Sequence, residues 1–472
     1  MSSEIRVRFA PSPTGALHIG GVRTALFNYL FAKKNDGKFF LRIEDTDLSR
    51  TQEGAEEHIK NSLEWLGLSW EKQVIRQSDQ RDLYLHHAKQ LIDQKKAYYA
   101  FDTPEDLSRL RDELQEQKSA HQHYNALVRV RMRNSLTLPE EEVKDLLEKG
   151  VPRVIRFKID PRHSYAFDDL LRKKIKGHGS ALEDKILIKS DGMPTYHFAH
   201  VVDDHKLGIS HVIRGEEWLP STPLHGLIYK ALEWDLPSWV HLPLILDPHG
   251  RGKLSKRNLN ANDELPLYLQ EWQGIKGFKE LGFLPEAVIN FLGSLGYRPG
   301  PSEEEFFSLT DLEKAFSLSG LAKTSVKYDF AKALWFNEHY IQSCSPDKLL
   351  ALLQVLIRSR PSKDKVLDPK LQKLLQDENK TRKICELMQK RVHRLPLILE
   401  NFPLLRTLSE EEKTKYTADI KSLLHNQIPP TWKKQEKAKR MRELRRVLTG
   451  QEQGPDLKGL LQCWGESQIF TS

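Results

Sequence analysis

The sequence has few cysteines and no long apolar run. Its 472 residues include only three cysteines, which lie far apart at positions 344, 385 and 463. That spacing suits a reducing compartment, and without a Cys-x-x-Cys pair it gives no indication of a zinc site. No apolar stretch approaches the roughly 20 residues that a membrane-spanning helix needs. We therefore expect buried free thiols, no disulfide framework and no association with a membrane.

A large excess of one charge is also lacking. The chain has 73 basic and 65 acidic residues, a formal net charge of +8 and a pI of about 9.0. This mild excess favours an anionic partner such as nucleic acid without requiring one. Charged residues make up 29% of the chain and the mean hydropathy is −0.56, as in soluble proteins. The chain is longer than one hydrophobic core usually accommodates, which predicts roughly three to five structural units.

The segment from residue 8 to residue 50 carries the strongest local pattern. Apolar residues alternate from Ile5 to Phe9 and predict a strand, which Pro11 ends because proline cannot donate to a sheet. Apolar residues then recur every three or four positions from Gly20, which predicts a helix. Residues 39–43 predict a second strand parallel to the first, so the order is strand, turn, helix, strand.

The turn of this unit is a candidate phosphate site. Ligands bind beyond the carboxyl ends of parallel strands, where Ser12, Thr14 and His18 would lie. Free backbone amides near Gly20 and the helix dipole would favour a phosphate, the dipole by roughly 0.3–1 kcal/mol per charge. Gly20 and Gly21 would let adenine or ribose approach the backbone. The alternative is a tight turn in which His18 only caps the helix.

A basic loop far downstream strengthens the phosphate hypothesis. Residues 250–257 read G-R-G-K-L-S-K-R and place Lys253 and Lys256 three positions apart. The cationic side chains could neutralise a leaving pyrophosphate, while the glycines let the loop close over it. A basic loop by itself is usually a solvated surface. Together with the N-terminal turn it indicates nucleotide chemistry.

These two elements resemble the signatures of class I aminoacyl-tRNA synthetases. The text H-I-G-G at 18–21 is similar to their HIGH-type motif, and K-L-S-K-R at 253–257 is similar to their KMSKS-type loop. The segments R-F-A-P-S-P-T-G, R-I-E-D-T-D, V-V-D-D-H and I-R-G-E-E-W resemble bacterial-type glutamyl-tRNA synthetases, and the likeness extends over nearly the whole chain. The resemblance implies activation of L-glutamate by ATP with Mg²⁺, in the presence of bound tRNA, and transfer to the terminal adenosine of tRNA(Glu).

The resemblance also implies an α/β fold of several domains. A Rossmann-type parallel sheet is expected to be split by an inserted α+β domain that grips the tRNA acceptor end, with all-helical anticodon-binding domains following. The expected boundaries are 1–83 with 186–246 for the catalytic domain, 84–185 for the insertion, 247–334 for the KMSKS-type loop and stem-contact domain, and 335–400 and 401–472 for the two helical subdomains. Strand patterns in the sequence itself end near residue 335.

Candidate site residues follow from the positions that match the family's motifs. The expected ATP-binding residues are His18, Gly20, Gly21, Trp218, Lys253 and Lys256, of which His18, Lys253 and Lys256 would be catalytic. The expected glutamate-binding residues are Arg8, Ala10, Ser12, Glu44, Tyr196, His200 and Arg214.

The chemistry of these residues fits the implied substrate. Arg8 and Arg214 would bind carboxylates, because a guanidinium pairs with a carboxylate in a bidentate way that an amide cannot reproduce. Glu44 would accept the ammonium group. His200 stands where relatives often have asparagine, and its role stays open. Asp203 and Asp204 (V-V-D-D-H) suit either a metal pair or a structural role in positioning the pocket.

The remaining expectations concern partners and selectivity. Arg391 matches the family's arginine that reads an anticodon base, which favours an enzyme specific for tRNA(Glu). The alternative is a non-discriminating enzyme that also charges tRNA(Gln). Some relatives carry zinc ligands after a Tyr-Tyr pair, but Tyr98-Tyr99 is followed by Ala100 and Asp102, so we expect no bound zinc. We expect a cytoplasmic monomer, with an organellar matrix as the alternative location. A small-molecule adenylyltransferase and an inactive RNA-binding paralogue are the other hypotheses.

The basic loop yields a first prediction. Replacing Lys256 by alanine should lower the aminoacylation rate by orders of magnitude, because a cation that stabilises the leaving pyrophosphate is lost. Binding of tRNA, measured by filter retention, should stay nearly intact. Near-normal turnover would show that Lys256 has no catalytic role.

Overall fold

A computed structural model describes residues 4–71, 73–116, 123–250, 252–255, 265–299, 304–359, 367–425, 427–433 and 435–470. The chain forms two compact units. The first comprises Met1–Trp272 with Leu292–Tyr328, and the second comprises Gln273–Phe291 with Asp329–Ser472. No helix in the part of the chain described here is both long and apolar enough to cross a membrane.

The strands all belong to the first unit, as far as the described residues go. They are β1 (Arg6–Phe9), β2 (Lys38–Ile43), β3 (Ile75–Arg76), β4 (Ala97–Ala100), β5 (Val154–Phe157), β6 (Ser164–Asp169), β7 (Lys173–His178), β8 (Ile186–Ile188), β9 (His211–Gly215), β10 (Ser238–Leu242), β11 (Ile245–Leu246) and β12 (Val326–Lys327).

Helices occur in both units. In the first unit they are α1 (Ile19–Lys34), α2 (Ala55–Trp65), α3 (Arg81–Asp93), α4 (Pro104–Glu116), α5 (Glu140–Glu148), α6 (Tyr196–Lys206), α7 (Thr222–Ala231) and α9 (Leu309–Ala315). Helix α8 (Pro285–Ser294) crosses the boundary between the two ranges. The second unit contains α10 (Phe330–Ser343), α11 (Pro346–Ser359), α12 (Pro369–Leu375), α13 (Glu378–Met388), α14 (Leu397–Glu400), α15 (Glu410–Leu424), α16 (Lys437–Thr449) and α17 (Leu457–Phe470).

The predicted strand–turn–helix–strand unit is confirmed. Strands β1 and β2 are parallel, with Arg8 opposite Phe40, and β3 continues the sheet beyond β2. Helix α1 connects β1 to β2 and buries the predicted apolar face, including Val22, Leu26 and Leu30. The fold is therefore of the mixed α/β type with parallel strands, as the sequence predicts.

A reversal of strand order lies next to β1. Strands β9 and β10 are parallel to each other, and their sheet has the order β7-β6-β10-β9. The backbone N–H of Ser210 donates to the carbonyl of Arg6, which brings the start of β9 beside β1. Strand β1 therefore has β2 on one side and β9 on the other, and both follow it in the chain. Such a switch point opens a crevice at the carboxyl ends of the strands.

Two strand pairings differ from the expected division at residue 185. Strand β8 forms at 186–188, where the second part of the catalytic domain is expected to begin, but it pairs with β5 in an antiparallel sheet of order β4-β5-β8. Residues 164–178, which fall within the range expected for the insertion, form the hairpin β6–β7, and β6 pairs with β10 next to the parallel strands. Side-chain periodicity predicts that a strand exists, but long-range hydrogen bonds decide which strand it pairs with.

The antiparallel sheet is packed on both faces. Along β4, Ala97 belongs to a core shared with α3, α6 and α7, while Tyr98 and Ala100 pack with Leu110 and Leu114 of α4. Consecutive residues of a strand point to opposite faces, so one short strand serves two cores. This arrangement joins the inserted segment to the helices that flank the parallel strands.

The second unit is helical, and its described residues beyond 335 contain no strand, as predicted. The side chain of Asn337 on α10 is fully buried and ties three segments together. Its oxygen accepts the N–H of Leu284 at 2.8 Å, and its nitrogen donates to the carbonyls of Gly282 at 3.2 Å and His393 at 2.7 Å.

We expect Asn337→Ala to lower the free energy of unfolding of the helical unit by about 2–4 kcal/mol, because it removes three hydrogen bonds and takes away the side-chain partner of the buried N–H of Leu284. Urea denaturation followed by circular dichroism measures the change. The exposed Asn379 on α13 is the matched control, and Asn379→Ala should be nearly neutral. Equal stability of the two variants would contradict the structural role of Asn337.

Candidate functional site

Two adjoining cavities open at the carboxyl ends of β1, β2 and β9. The first has a volume of about 220 Å³, and the second, beside it, has about 50 Å³. Thr24 and Glu217 line both. Of the predicted site residues, the first cavity is lined by Arg8, Ala10, Ser12, Gly20, Gly21, Glu44, Tyr196, Arg214 and Trp218, and the second by His18, Gly20 and Lys253.

A cluster of buried charges adjoins the first cavity, and two of its members, Arg8 and Glu44, line that cavity. Arg42 of β2 is fully buried and lies 2.6 Å from Asp204, 3.1 Å from Glu44 and 3.7 Å from Asp203. The Nε of Arg8 donates to the same carboxylate of Asp204 at 3.0 Å. Buried charges are tolerated only when paired, so these groups depend on one another.

The contacts of Asp203 and Asp204 support a structural role in positioning the pocket. Burial favours a raised pKa for Asp204, but the guanidinium groups of Arg8 and Arg42 outweigh it and lower the pKa. Asp203 accepts from Gln77 at 2.7 Å. Across the described ranges, no group of three or more His, Cys, Asp or Glu side chains is arranged to hold a metal ion. Asp204 positions the side chains of Arg8 and Arg42 by hydrogen bonds, whereas Asp203 is bonded to neutral groups and lies 3.7 Å from Arg42.

Glu44 has an unusual charge state for a carboxyl group. It follows β2 directly, and its Oε1 accepts from Arg42 at 3.1 Å. Burial raises the pKa of Glu44 to about 7, although Arg42 and Arg8 act in the opposite direction. A cation entering the cavity would restore the ionised form. The arrangement therefore suits the binding of an ammonium group.

Arg214 differs from the other two arginines because it has no ion-pair partner among the described residues. Arg214 lies at the end of β9 and is 5% exposed, and its guanidinium is bonded to neutral acceptors. Its Nε donates to His241 at 3.1 Å and its Nη2 donates to the hydroxyl of Thr222 at 3.0 Å. Its Nη1 lies 3.2 Å from Nδ1 of His225. None of these partners carries a negative charge, so within the described ranges the guanidinium has no directly bonded counter-ion beside the cavity.

His200 lies behind the cavity wall, in contact with the arginines. Its Nε2 is 3.3 Å from Nη1 of Arg214, and its Nδ1 is 3.3 Å from Nη2 of Arg8. Burial and the neighbouring arginines lower the pKa of His200 well below its usual value, so the ring is neutral. Both ring nitrogens thus face arginine N–H groups, which only donate, and Nδ1 also lies 3.4 Å from Oδ2 of Asp204. The ring also stacks on Tyr196.

His18 both caps α1 and presents a donor. Its Nδ1 accepts the N–H of Gly20 at 3.1 Å, so the ring proton is on Nε2. That atom is buried and has no hydrogen-bond partner within the described residues. Burial, assisted by Lys253, lowers the pKa of His18 to about 4, so the ring stays neutral at pH 7. The capping and ligand-binding alternatives are therefore compatible.

The amides expected to be free at this turn are occupied. Besides Gly20, the N–H of Ile19 donates to the carbonyl of Leu267 at 2.9 Å and that of Gly21 donates to the carbonyl of His18 at 2.8 Å. A side chain at Gly21 would come within 3.0 Å of Leu17. The paired glycines thus permit close packing and a close approach to the backbone, while the unpaired donor of the turn is the histidine.

The remaining predicted residues take different positions. Nζ of Lys253 lies 2.8 Å from Oε1 of Glu217. Trp218 is 37% exposed and its ring lies 4.3 Å from that of Tyr196. Lys256 lies outside the described residues. Arg391 belongs to the second unit, where it is exposed in the turn after α13.

Several important residues were not identified from the sequence. Arg42 and His241 are polar residues inside apolar strands, which is a readable signal because a charged or polar side chain is rarely buried without a partner. Glu217 lies within the I-R-G-E-E-W motif, but its ion pair with Lys253 joins positions 36 apart. Nothing in the local sequence predicts that contact.

The sequence of this chain is similar to those of known proteins. The family model described as "tRNA synthetases class I (E and Q), catalytic domain" matches residues 4–335. A glutamate–tRNA ligase of Amoebophilus asiaticus is 51% identical over 369 residues, covering 75% of this chain and 72% of the relative. One of Porphyromonas gingivalis is 43% identical over 435 residues, covering 88% and 82%.

Solved structures give the same result over the full length. A crystal structure of a glutamate tRNA ligase from Elizabethkingia meningosepticum, in complex with its amino acid, has a TM-score of 0.85 and 37% identity, covering 99% of this chain and 98% of that one. The glutamate-tRNA synthetase of Elizabethkingia anophelis has a TM-score of 0.85 and 38% identity, with 98% and 97% coverage. The resemblance read from the motifs is confirmed, and the chain belongs to the class I tRNA synthetases of the glutamate and glutamine type.

Proposed function

We propose that the chain activates L-glutamate with ATP and transfers the glutamyl group to the 3′-terminal adenosine of tRNA(Glu). The observation that carries this proposal is that Arg214 has no directly bonded counter-ion among the described residues. Arg8 and Arg42 already share the carboxylate of Asp204, whereas Arg214 is surrounded by neutral acceptors. A substrate carboxylate would supply the missing negative charge.

The same feature favours glutamate over glutamine. A carboxylate offers only acceptors to the N–H groups of Arg214 and Arg8. An amide also carries N–H donors, and these would face the N–H groups of the arginines. A site that leaves buried polar groups unpaired by the wrong substrate can reach discrimination of roughly 10⁴–10⁵. Glu44 accepts the substrate ammonium group, while Ala10, Ser12 and Tyr196 form the remaining wall of the cavity.

ATP, accompanied by Mg²⁺, would lie along the start of α1. The neutral Nε2–H of His18 donates to a phosphate oxygen, and Lys253 exchanges Glu217 for the pyrophosphate. Lys256 has the same role by its place in the loop.

The α-carboxylate of glutamate attacks the α-phosphorus of ATP. The bond between that phosphorus and the oxygen bridging to the β-phosphate breaks, and pyrophosphate leaves. A hydroxyl of the terminal adenosine, the 2′-hydroxyl in class I enzymes, then attacks the glutamyl carbonyl and releases AMP. Positioning and charge stabilisation account for catalysis, since the attacking carboxylate is already ionised.

The rest of the chain would bind the tRNA. The segment 84–185 grips the acceptor end, 247–334 contacts the stem, and the helical residues 335–400 and 401–472 bind the anticodon, where Arg391 reads one base. This makes the enzyme specific for tRNA(Glu). It works as a cytoplasmic monomer without zinc.

Charging assays with purified tRNA(Glu) and tRNA(Gln) test the proposal. We expect glutamate to be attached to tRNA(Glu) only, and ATP–pyrophosphate exchange to require glutamate together with tRNA. Charging of both tRNAs would identify the non-discriminating alternative. Exchange that persists after truncation at residue 334 and needs no tRNA would instead identify a small-molecule adenylyltransferase.

The raised pKa of Glu44 predicts a pH dependence. The free enzyme holds Glu44 largely neutral below its pKa of about 7, and only the ionised form binds the ammonium group. The KM for glutamate should therefore rise as the pH falls, by about tenfold between pH 8 and pH 6. Glu44→Gln should raise the KM and make it independent of pH over this range. A wild-type KM that is constant from pH 8 to pH 6 would remove Glu44 from the ammonium site.

A further inference from the structure

The side chain of Arg214 is held by a chain of hydrogen bonds that begins at the hairpin β6–β7. The Nε of Arg214 donates to Nε2 of His241 at 3.1 Å, and Nδ1 of His241 lies 2.6 Å from Oδ2 of Asp169. Asp169 is 4% exposed and His241 is fully buried. The order along the chain of bonds is carboxylate, imidazole, guanidinium.

The two neighbours of His241 fix its tautomer. The carboxylate of Asp169 can only accept, so the ring proton lies on Nδ1. The guanidinium of Arg214 can only donate, so Nε2 is the acceptor. Burial lowers the pKa of His241, although Asp169 acts in the opposite direction, and the ring therefore carries one proton at neutral pH. Both neighbours thus require the same neutral form.

Asp169 is itself held in place by backbone groups. Its Oδ1 accepts the N–H of Leu171 at 2.9 Å and that of Arg172 at 2.5 Å, both in the turn after β6. These bonds leave Oδ2 directed at His241. A carboxylate bonded to Nδ1 of an imidazole fixes the ring orientation and makes the opposite nitrogen a stronger acceptor.

The length of the chain of bonds has an electrostatic consequence. Asp169 acts on Arg214 through one ring instead of by direct contact, so it orients the guanidinium without neutralising it. The hydroxyl of Thr222 supports the same geometry, since it lies 3.0 Å from Nη2 of Arg214 and 3.1 Å from Nε2 of His241. The guanidinium of Arg214 is therefore held in one plane and has no bonded counter-ion in the described part of the chain.

We propose that Asp169 and His241 are positioning residues that set the affinity for the substrate side-chain carboxylate by fixing the orientation of Arg214. This inference rests on the proposed use of glutamate. Neither residue lines the cavity, and both act through the guanidinium. Their loss weakens the binding of glutamate and leaves the binding of ATP unchanged.

The isosteric substitution Asp169→Asn tests the proposal. An asparagine can keep the backbone bonds through its oxygen while its amide donates to Nδ1, which moves the ring proton to Nε2 and sets it against the N–H of Arg214. We expect the KM for glutamate in the full aminoacylation reaction to rise about 10- to 100-fold. The KM for ATP and the kcat should change by less than about threefold, since the contact is equally strong before and during the reaction.

The neighbouring Asp168 supplies the matched control. It is exposed on the same strand, so Asp168→Asn should leave every kinetic constant unchanged. Wild-type charging with glutamate under the same conditions distinguishes a failure of the proposed function from a failure of the positioning role. If the wild-type enzyme does not use glutamate, the proposed function fails. If it does and Asp169→Asn keeps a normal KM for glutamate, the positioning role alone is overturned.

A second variant tests the tautomer and covers a failure of Asp169→Asn to fold. His241→Gln places an amide oxygen where Nε2 accepts, so the KM for glutamate should rise less than in Asp169→Asn. Adding Asp169→Asn to His241→Gln should change that KM by less than about twofold, because no ring proton remains to be moved. A KM that rises equally for glutamate and ATP in His241→Gln would indicate general disruption and overturn the proposal.

Discussion

The ion cluster around Arg42 is the interaction on which the site depends. A guanidinium with no exposure to solvent is stable only because Asp203, Asp204 and Glu44 surround it. Asp204 also holds Arg8, so the cluster joins β1, β2 and α6 through charge as well as packing. Removing one partner would leave a buried charge uncompensated, at a cost of about 3–5 kcal/mol. The cavity therefore has walls that cannot move independently.

Selectivity for a substrate carboxylate arises because only some of the arginines have carboxylate partners within the protein. Arg8 and Arg42 have carboxylate partners in the protein, whereas Arg214 has only neutral hydrogen-bond partners in the part of the chain that the structure describes. The first two build the pocket, and the third is left for the ligand. His200 fits this scheme because a neutral ring contacts all three arginines without adding charge.

Local sequence patterns predict the parts of this protein whose structure is local. The β1–α1–β2 unit follows from periodicity and prolines, and the motifs bring Arg8, Glu44 and Arg214 to one cavity. The partner of β8, the attachment of hairpin β6–β7 and the bond between His241 and Asp169 depend on contacts between distant segments. The free amides expected at the turn were a wrong inference, because the side chain of His18 and the carbonyl of Leu267 occupy them.

The ion pairs of the cluster also bear on when the N-terminal strands can fold during synthesis of the chain. Arg8 and Asp204 are 196 positions apart, and Arg42 and Asp204 are 162 apart. When the first strands leave the ribosome, the carboxylates of α6 that must neutralise their arginines have not been made. Burying Arg42 at that stage would cost several kcal/mol, so the N-terminal strands stay hydrated until α6 emerges. The packing of β1 and β2 around Arg42 is therefore completed only after residue 206 has been synthesised, well after the motif at 18–21.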